Sequence, residues 1–180
     1  MFKHYISLII LISSALLFAK ITNAAIYVER IVEDDFSNIQ EEIVLAIQGQ
    51  GLVIAHNSDV STMLRRTVTD LAQEAFSIAA SINPLNIMRN RSPVQTTYEH
   101  GIVIEFCSTS LSAETTAADP NNILFCPFSI AIFQLSNEPN QVHVSYLRLS
   151  QFADKNNPQS VKALTKVENM LAEVVSEALD

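Results

Sequence analysis

Residues 125–149, FCPFSIAIFQLSNEPNQVHVSYLRL, contain two runs that are rich in β-branched and aromatic side chains. The runs at 125–135 and 142–149 have the composition of β-strands. Between them, Asn137-Glu138-Pro139-Asn140 offers the residue types of a hairpin turn. We therefore expect two neighbouring antiparallel strands here.

The remaining chain alternates strand-like and helix-like segments. Strands are predicted over residues 25–32, 52–56 and 102–107, and helices over residues 38–50, 62–80, 108–118 and from 158 onward. The element order β-α-β-α-β-α-β-β-α predicts an α+β fold. We expect a two-layer sandwich, with helices packed on one face of a mainly antiparallel sheet.

Several residues mark the ends of these elements. Gly51 is a natural stop for the first helix, and Asn157-Pro158 is a natural start for the last one. The residues Asn57-Ser58-Asp59 predict a turn after the second strand, which is expected to be short and buried. Residues 81–92 are expected to form a loop.

The first 24 residues have the pattern of a secretory signal peptide. Lys3 precedes an uncharged apolar run at 6–18, and small residues lead to a cleavage point after Ala24. The run is shorter than the roughly 20 apolar residues of a membrane-spanning helix. We predict export to the periplasm or secretion, no stable membrane span after cleavage, and one domain over 25–180. Retention of this segment as an anchor is the alternative.

The charge of the chain excludes one class of function. It has 11 basic and 19 acidic residues, a net charge of −8, and removal of residues 1–24 takes away Lys3 and Lys20 to leave −10. Neutralising phosphates needs clustered Lys and Arg, so a nucleic-acid-binding surface is not expected. The chain has only 3 glycines and none of the phosphate-loop or nucleophile-elbow motifs, so an enzyme is not favoured.

Four stretches carry a resemblance to a known family. They are EFCS at 105–108, ADPNNILFCPF at 118–128, VSYLR at 144–148 and HNSDVSTMLRRT at 56–67. Together they resemble the DUF302 family, and especially its exported bacterial members. The chain departs from the family pattern at Ser145 and Leu147. The resemblance implies a compact α/β domain similar to members that form dimers, and it implies no reaction.

Cys107 and Cys126 are the two cysteines of the chain. An even count in an oxidising compartment favours a disulfide between them. The alternatives are two buried thiols, or a redox pair or soft-metal site. Glu105 shares a strand face with Cys107, and a carboxylate there would raise the thiol pKa and oppose a reactive thiolate.

A metal site is not expected. His56, His100 and His143 have neither the helical spacing nor the paired-cysteine pattern of common zinc sites. On an alternating strand, His143 is expected to face solvent. We predict no metal and no cofactor.

One further group of side chains could bind an anion. If the second helix packs beside the hairpin, Arg65, Arg66, Tyr146 and Arg148 would offer guanidinium and phenol groups to a carboxylate. The alternative is that the two helix arginines are solvated. Asp119-Pro120-Asn121-Asn122 is expected to be a turn in which Asx side chains bond the backbone.

Two functions follow from these observations. The first is a non-enzymatic exported domain, acting as a homodimer, that binds a small ligand or a partner protein. The second is a redox accessory protein that uses Cys107 and Cys126.

Overall fold

The structure is a computed structural model that describes residues 25–82 and 97–180. The predicted signal peptide at 1–24 and most of the predicted loop at 81–92 lie outside the described residues. The elements in chain order are β1 (Tyr27–Val32), α1 (Phe36–Gly49), β2 (Val53–Asp59), α2 (Val60–Ile82), β3 (Tyr98–Cys107), α3 (Thr109–Ala118), a first 3₁₀ segment (Pro120–Phe125), β4 (Phe128–Leu135), β5 (Val142–Leu147), a second 3₁₀ segment (Leu149–Phe152) and α4 (Pro158–Leu179).

The strands form one five-stranded sheet in the order β1-β5-β4-β3-β2. Every neighbouring pair is antiparallel. The predicted hairpin is present as β4 and β5, in which Ile132 lies opposite Val144. The predicted α+β class with an antiparallel sheet is confirmed.

Alternation along β4 separates the two faces of the sheet. Phe128, Ile130 and Ile132 are fully buried, whereas the residues between them are only partly covered. The buried side chains join those of α1 and α4 in one hydrophobic core. A fully buried aliphatic or aromatic side chain contributes about 1.5–3 kcal/mol, so burial of this layer strongly favours folding.

The opposite face of the sheet, named the open face here, is less covered. Val103, Ala131 and Ser145 lie on it and are partly exposed. The first turn of α2 lies against this face, where Ser61 approaches Gly101. The predicted placement of helices on one face therefore holds for α1 and α4.

The predicted ends of elements are confirmed at some positions and wrong at others. Gly51 ends α1 with a φ of 70°, and the Leu52 amide donates to the Ile47 carbonyl at 3.1 Å, as in a Schellman motif. Asn157 caps α4 through its side chain. The predicted turn at residues 57–59 is wrong, because pairing with β3 continues β2 to Asp59.

Strand β2 also differs from its predicted burial. It lies at the edge of the sheet, and Val53 is largely exposed. The apolar residues of this strand predicted a buried position, yet an edge strand has a neighbour on one side only. Sequence composition cannot tell a central strand from an edge strand when the pairing order is unknown.

Candidate functional site

Cys107 and Cys126 are brought together by the register of two strands. Phe106 lies opposite Phe128, so the end of β3 lies beside the residues that lead into β4. Both cysteines are free thiols with intermediate burial. The Cys126 Sγ donates a hydrogen bond to Ser112 Oγ at 3.3 Å. The two thiols are neighbours, and a disulfide between them stays a prediction.

The surroundings of Cys107 disfavour the thiolate. Burial raises the pKa of the Cys107 thiol, and the charge of Cys126 and a hydrogen bond with it raise it further. The pKa of Cys107 is shifted in the direction expected from the sequence. Burial and the second thiol cause the shift, instead of Glu105. A thiol held protonated is a poor nucleophile at neutral pH. The surroundings of Cys107 therefore favour structural pairing over rapid thiol–disulfide exchange, in which the thiolate is the attacking group.

The four residues of the predicted anion site do not converge. Arg65 lies on α2, where its Nη1 donates to the Glu99 carbonyl at 3.0 Å, and its neighbour Arg66 is exposed. Tyr146 and Arg148 belong to β5 and the residue after it, which β4 and β3 separate from α2. The residue of α2 that approaches the hairpin is Val60, which lines a cavity with Ala131 and Phe133 of β4, and neither arginine lines that cavity.

The Tyr146 and Arg148 pair already has an anion beside it. Arg148 Nη1 lies 3.5 Å from Glu168 Oε1, and Ser150 Oγ donates to Glu168 Oε2 at 2.6 Å. Burial raises the pKa of the Tyr146 phenol, while the charge of Arg148 acts in the opposite direction. The carboxylate of α4 occupies the position that an external carboxylate would need, so this end of β5 is a structural ion pair.

The Asp119–Asn122 turn connects two helices. Asp119 Oδ1 accepts from the Asn121 amide at 2.9 Å, which confirms the predicted Asx turn. The buried Asn122 donates from Nδ2 to the Thr115 carbonyl at 3.0 Å and to Ser160 Oγ at 2.9 Å. These bonds join the end of α3 to the first turn of α4. The motif that carries the resemblance therefore has a structural role.

His143 is buried, so the prediction that it faces solvent is wrong. Its ring stacks on Phe133 with centroids 4.7 Å apart. Nδ1 lies 3.1 Å from Glu29 Oε1, and Nε2 lies 3.2 Å from Glu138 Oε2. Because both ring nitrogens are engaged, neither is available as a base or a ligand. The pairing of β1 with β5 places Glu29 there, and no local pattern in the sequence indicated that pairing.

A small apolar cavity of about 140 Å³ opens on the open face. The Tyr98 and Phe133 rings meet edge to face beside it, 5.5 Å apart. Its lining consists of Val60, Tyr98, Gly101, Ile102, Val103, Ala131 and Phe133. Because Val60 starts α2, the cavity lies where that helix leaves the sheet.

Beyond this cavity, α2 presents large apolar side chains to the outside. Met63, Leu64 and Leu71 are 58%, 43% and 60% exposed. We name these three residues the α2 apolar side. Apolar residues at helical spacing usually mark the core-facing side of a helix, so exposed ones on α2 stand out. The combination of an open cavity and an uncovered apolar helix side is the strongest candidate binding surface.

The described residues contain neither a metal-binding cluster nor a membrane-spanning helix. Within 25–82 and 97–180, no three His, Cys, Asp or Glu side chains are grouped so that they could hold a metal ion. In the same part of the chain, no helix combines the length and apolarity needed to cross a membrane.

Comparison with known proteins identifies the family. No curated protein matches the chain. A crystal structure of an uncharacterized conserved protein DUF302 from Bacillus stearothermophilus is similar, with a TM-score of 0.65 at 12% sequence identity, covering 86% of this chain and 99% of that one. At that identity the likeness shows the fold alone. The family model described as a domain of unknown function, DUF302, matches residues 53–178, and the chain therefore belongs to the DUF302 family.

Proposed function

We propose that this chain is an exported, non-enzymatic binding domain that acts as a homodimer. Its binding surface consists of the α2 apolar side and the adjoining cavity on the open face. The observation that carries the proposal is the exposure of Met63, Leu64 and Leu71 next to that cavity. In water, a long helix depends on packing of its apolar side, so these residues favour a partner that covers them.

The size of the cavity favours a protein partner over a small ligand. Sites for small molecules commonly measure about 300–1,000 Å³. The cavity of about 140 Å³ is nearer to the size of a single ring or one apolar side chain. An apolar side chain of a second molecule is therefore the occupant that fits best.

A second copy of the chain satisfies both requirements. In a two-fold dimer the same surface serves both subunits, so each α2 apolar side would be covered by the other copy. Burying the exposed part of a leucine or methionine side chain contributes on the order of 1 kcal/mol. Three such residues on each subunit would supply a useful share of the dimerisation free energy.

The dimer is tested with charged substitutions on α2. We expect Leu64→Asp and Leu71→Asp to convert the dimer to a monomer in size-exclusion chromatography with light scattering. Leu45→Asp is the matched control, because Leu45 is similarly exposed, at 51%, on α1. The α2 surface would be excluded if all three variants kept the mass of the unsubstituted protein.

Export is supported by the first 24 residues and is tested separately. We expect the chain in the periplasmic fraction or the medium, with Ala25 as its first residue by mass spectrometry. An intact N-terminus in the membrane fraction would favour the anchor, and recovery in the cytoplasm would contradict export.

The second candidate function is a redox accessory protein. Its support is the contact between the Cys107 and Cys126 thiols. In the oxidation step, the two thiols form one S–S bond and lose two electrons and two protons. A disulfide of a partner protein takes them up and is reduced to two thiols.

A redox titration separates this candidate from a purely structural disulfide. Reversible oxidation in folded protein, at a potential within the range of disulfide oxidoreductases, supports the redox function. A bond that is reduced only after unfolding supports a structural role. Metal analysis of the purified protein tests the related idea that the two thiols bind a soft metal ion.

A further inference from the structure

Helix α2 has one continuous apolar side that begins on the sheet. Val60, in its first turn, lines the cavity on the open face. Met63, Leu64 and Leu71 follow Val60 at intervals of three, four and eleven residues, which places them on the same side of the helix. They are exposed, so α2 leaves its own sheet after the first turn. The exposed side is therefore one that already packs on a sheet where it begins.

The open face has apolar positions at a spacing that this helix side can reach. Phe133 lines the cavity, and strand pairing places His143 beside Phe133 and Ile31 beside His143. Ile31 is 51% exposed on the edge strand β1. Neighbouring strands are about 4.8 Å apart, so Ile31 lies roughly 10 Å from Phe133 across the sheet. Met63 and Leu71 are about 12 Å apart along α2, which is a similar separation.

The neighbouring row of the open face consists of small side chains. Val103 lies opposite Ala131, and Ala131 lies opposite Ser145. All three are partly exposed. Since the distance between packed elements depends on the side chains at the contact, this row allows a helix to approach the sheet closely.

The area that a stable dimer needs decides between two arrangements. Beyond its first turn α2 is about 30 Å long and 10 Å wide, so one side of it covers roughly 300 Å². Two α2 helices packed on each other would bury about 600 Å² in total, whereas stable interfaces bury about 1,200–2,000 Å². If each α2 lay on the open face of the other copy, two helix sides and two sheet faces would bury about 1,200 Å². The area therefore favours the second arrangement.

We propose that the open face binds α2 of a second copy and that the exchange is reciprocal. Each α2 extends beyond its own sheet and lies on the open face of the other copy, with Met63 at the cavity and Leu71 towards Ile31. A methionine side chain is unbranched and adapts to an irregular space, which suits the cavity of about 140 Å³. This inference rests on the proposed function, because it names the surface that covers the α2 apolar side.

Two variants that are monomeric alone and dimerise when mixed would demonstrate the exchange. Leu71→Asp places a charge on the helix side, and Ala131→Glu places one on the open face. In a homodimer of either variant both contacts contain a charge, so we expect each variant alone to be a monomer. In a mixed dimer one contact contains both charges and the other contact is intact. We therefore expect the mixture to form a dimer with one chain of each kind.

The mixture is measured at the highest concentration at which each variant alone is a monomer. One variant carries an affinity tag, so that native mass spectrometry identifies both chains in the dimer. Ala117→Glu is the matched control, because it makes the same change at an exposed position on α3, and it should remain a dimer. Circular dichroism checks folding, and Ser145→Glu on the same face takes the place of Ala131→Glu if that variant does not fold.

The outcomes separate this inference from the proposed function. A dimeric Ala131→Glu together with a monomeric Leu71→Asp would overturn the exchange and leave the α2 surface as the interface. Two monomeric variants that do not associate when mixed would also overturn the exchange. A dimeric Leu71→Asp, or a monomeric unsubstituted protein, would contradict the proposed function and the exchange with it.

Discussion

Substituting Asn122 by Ala tests whether the family motif is structural. The side chain is 4% exposed and lies between α3 and α4. It donates to the Thr115 carbonyl and to Ser160 Oγ, and its Oδ1 lies 3.3 Å from the same hydroxyl. Asn122→Ala removes all three contacts while leaving the backbone in place.

The magnitude follows from which partners are left without a bond. The Thr115 carbonyl keeps the Asp119 amide as a donor at 3.1 Å. Losing its bond to Asn122 therefore costs little free energy of unfolding. The fully buried Ser160 hydroxyl loses its Asn122 partner. A typical hydrogen bond contributes about 1 kcal/mol, and a buried polar group without a partner costs about 1–3 kcal/mol. We therefore expect a loss of about 2–4 kcal/mol.

Urea unfolding monitored by circular dichroism measures this loss. Asn121→Ala is the matched control, because Asn121 is the same residue type one position earlier and its side chain is exposed. The control should cost less than about 1 kcal/mol, as most surface substitutions do. The double variant with Ser160→Ala should cost less than the sum of the two single variants, since each removes the partner of the other.

Equal effects of the two asparagine substitutions would refute this reasoning. So would full stability of Asn122→Ala combined with additivity in the cycle. In either case the motif would have to be explained by binding or chemistry instead of packing.

Three other substitutions test separate parts of the structure. Asp59→Ala should cost about 1 kcal/mol at neutral pH, because Asp59 accepts from the Thr62 amide and hydroxyl at the start of α2. These bonds lower the pKa of Asp59, so its stabilisation is complete above the unfolded-state pKa and is lost as pH falls through the lower folded-state pKa. Unfolding by urea at neutral and acid pH should show the difference from the parent protein disappear in acid. The pH at which Cys107 reaches half its maximal alkylation rate should fall in Cys126→Ser but stay above the ordinary value, because burial remains. His143→Ala should lower the free energy of unfolding by about 1–3 kcal/mol, since the ring is buried and bonded at both nitrogens.

Local sequence signals predicted the parts of the fold that depend on neighbouring residues. The β4–β5 hairpin followed from the turn residues between the two strands. Gly51 and Asn157 marked helix ends because the conformations and bonds at those ends are formed within a few residues. The antiparallel sheet followed from the order of the elements, which left few other arrangements.

Pairings between distant segments limited the remaining predictions. The neighbour of β5 is β1, which brings Glu29 to His143 and makes a histidine that was expected to face solvent a buried one. The predicted anion site assumed that α2 packs beside the hairpin. In the structure, Val60 is the residue of α2 that approaches the hairpin, and Glu168 is the anion beside Arg148.

The sequence pattern of α2 did not show that its apolar side is exposed. Leu64 and Leu71 recur at helical spacing, which is the same pattern as in a helix that faces a core. A side that packs on the domain cannot be told from a side that packs on another molecule by period alone. The two cysteines were the reverse case, since the sequence suggested their pairing and the register of β3 and β4 brings them together.

The mass of the unsubstituted protein in solution tests the central claim most directly. Light scattering after size exclusion, over a range of micromolar concentrations, should give twice the chain mass that mass spectrometry finds for the same sample. A mass of one chain at every concentration would contradict the proposal that the α2 apolar side is covered by a second copy.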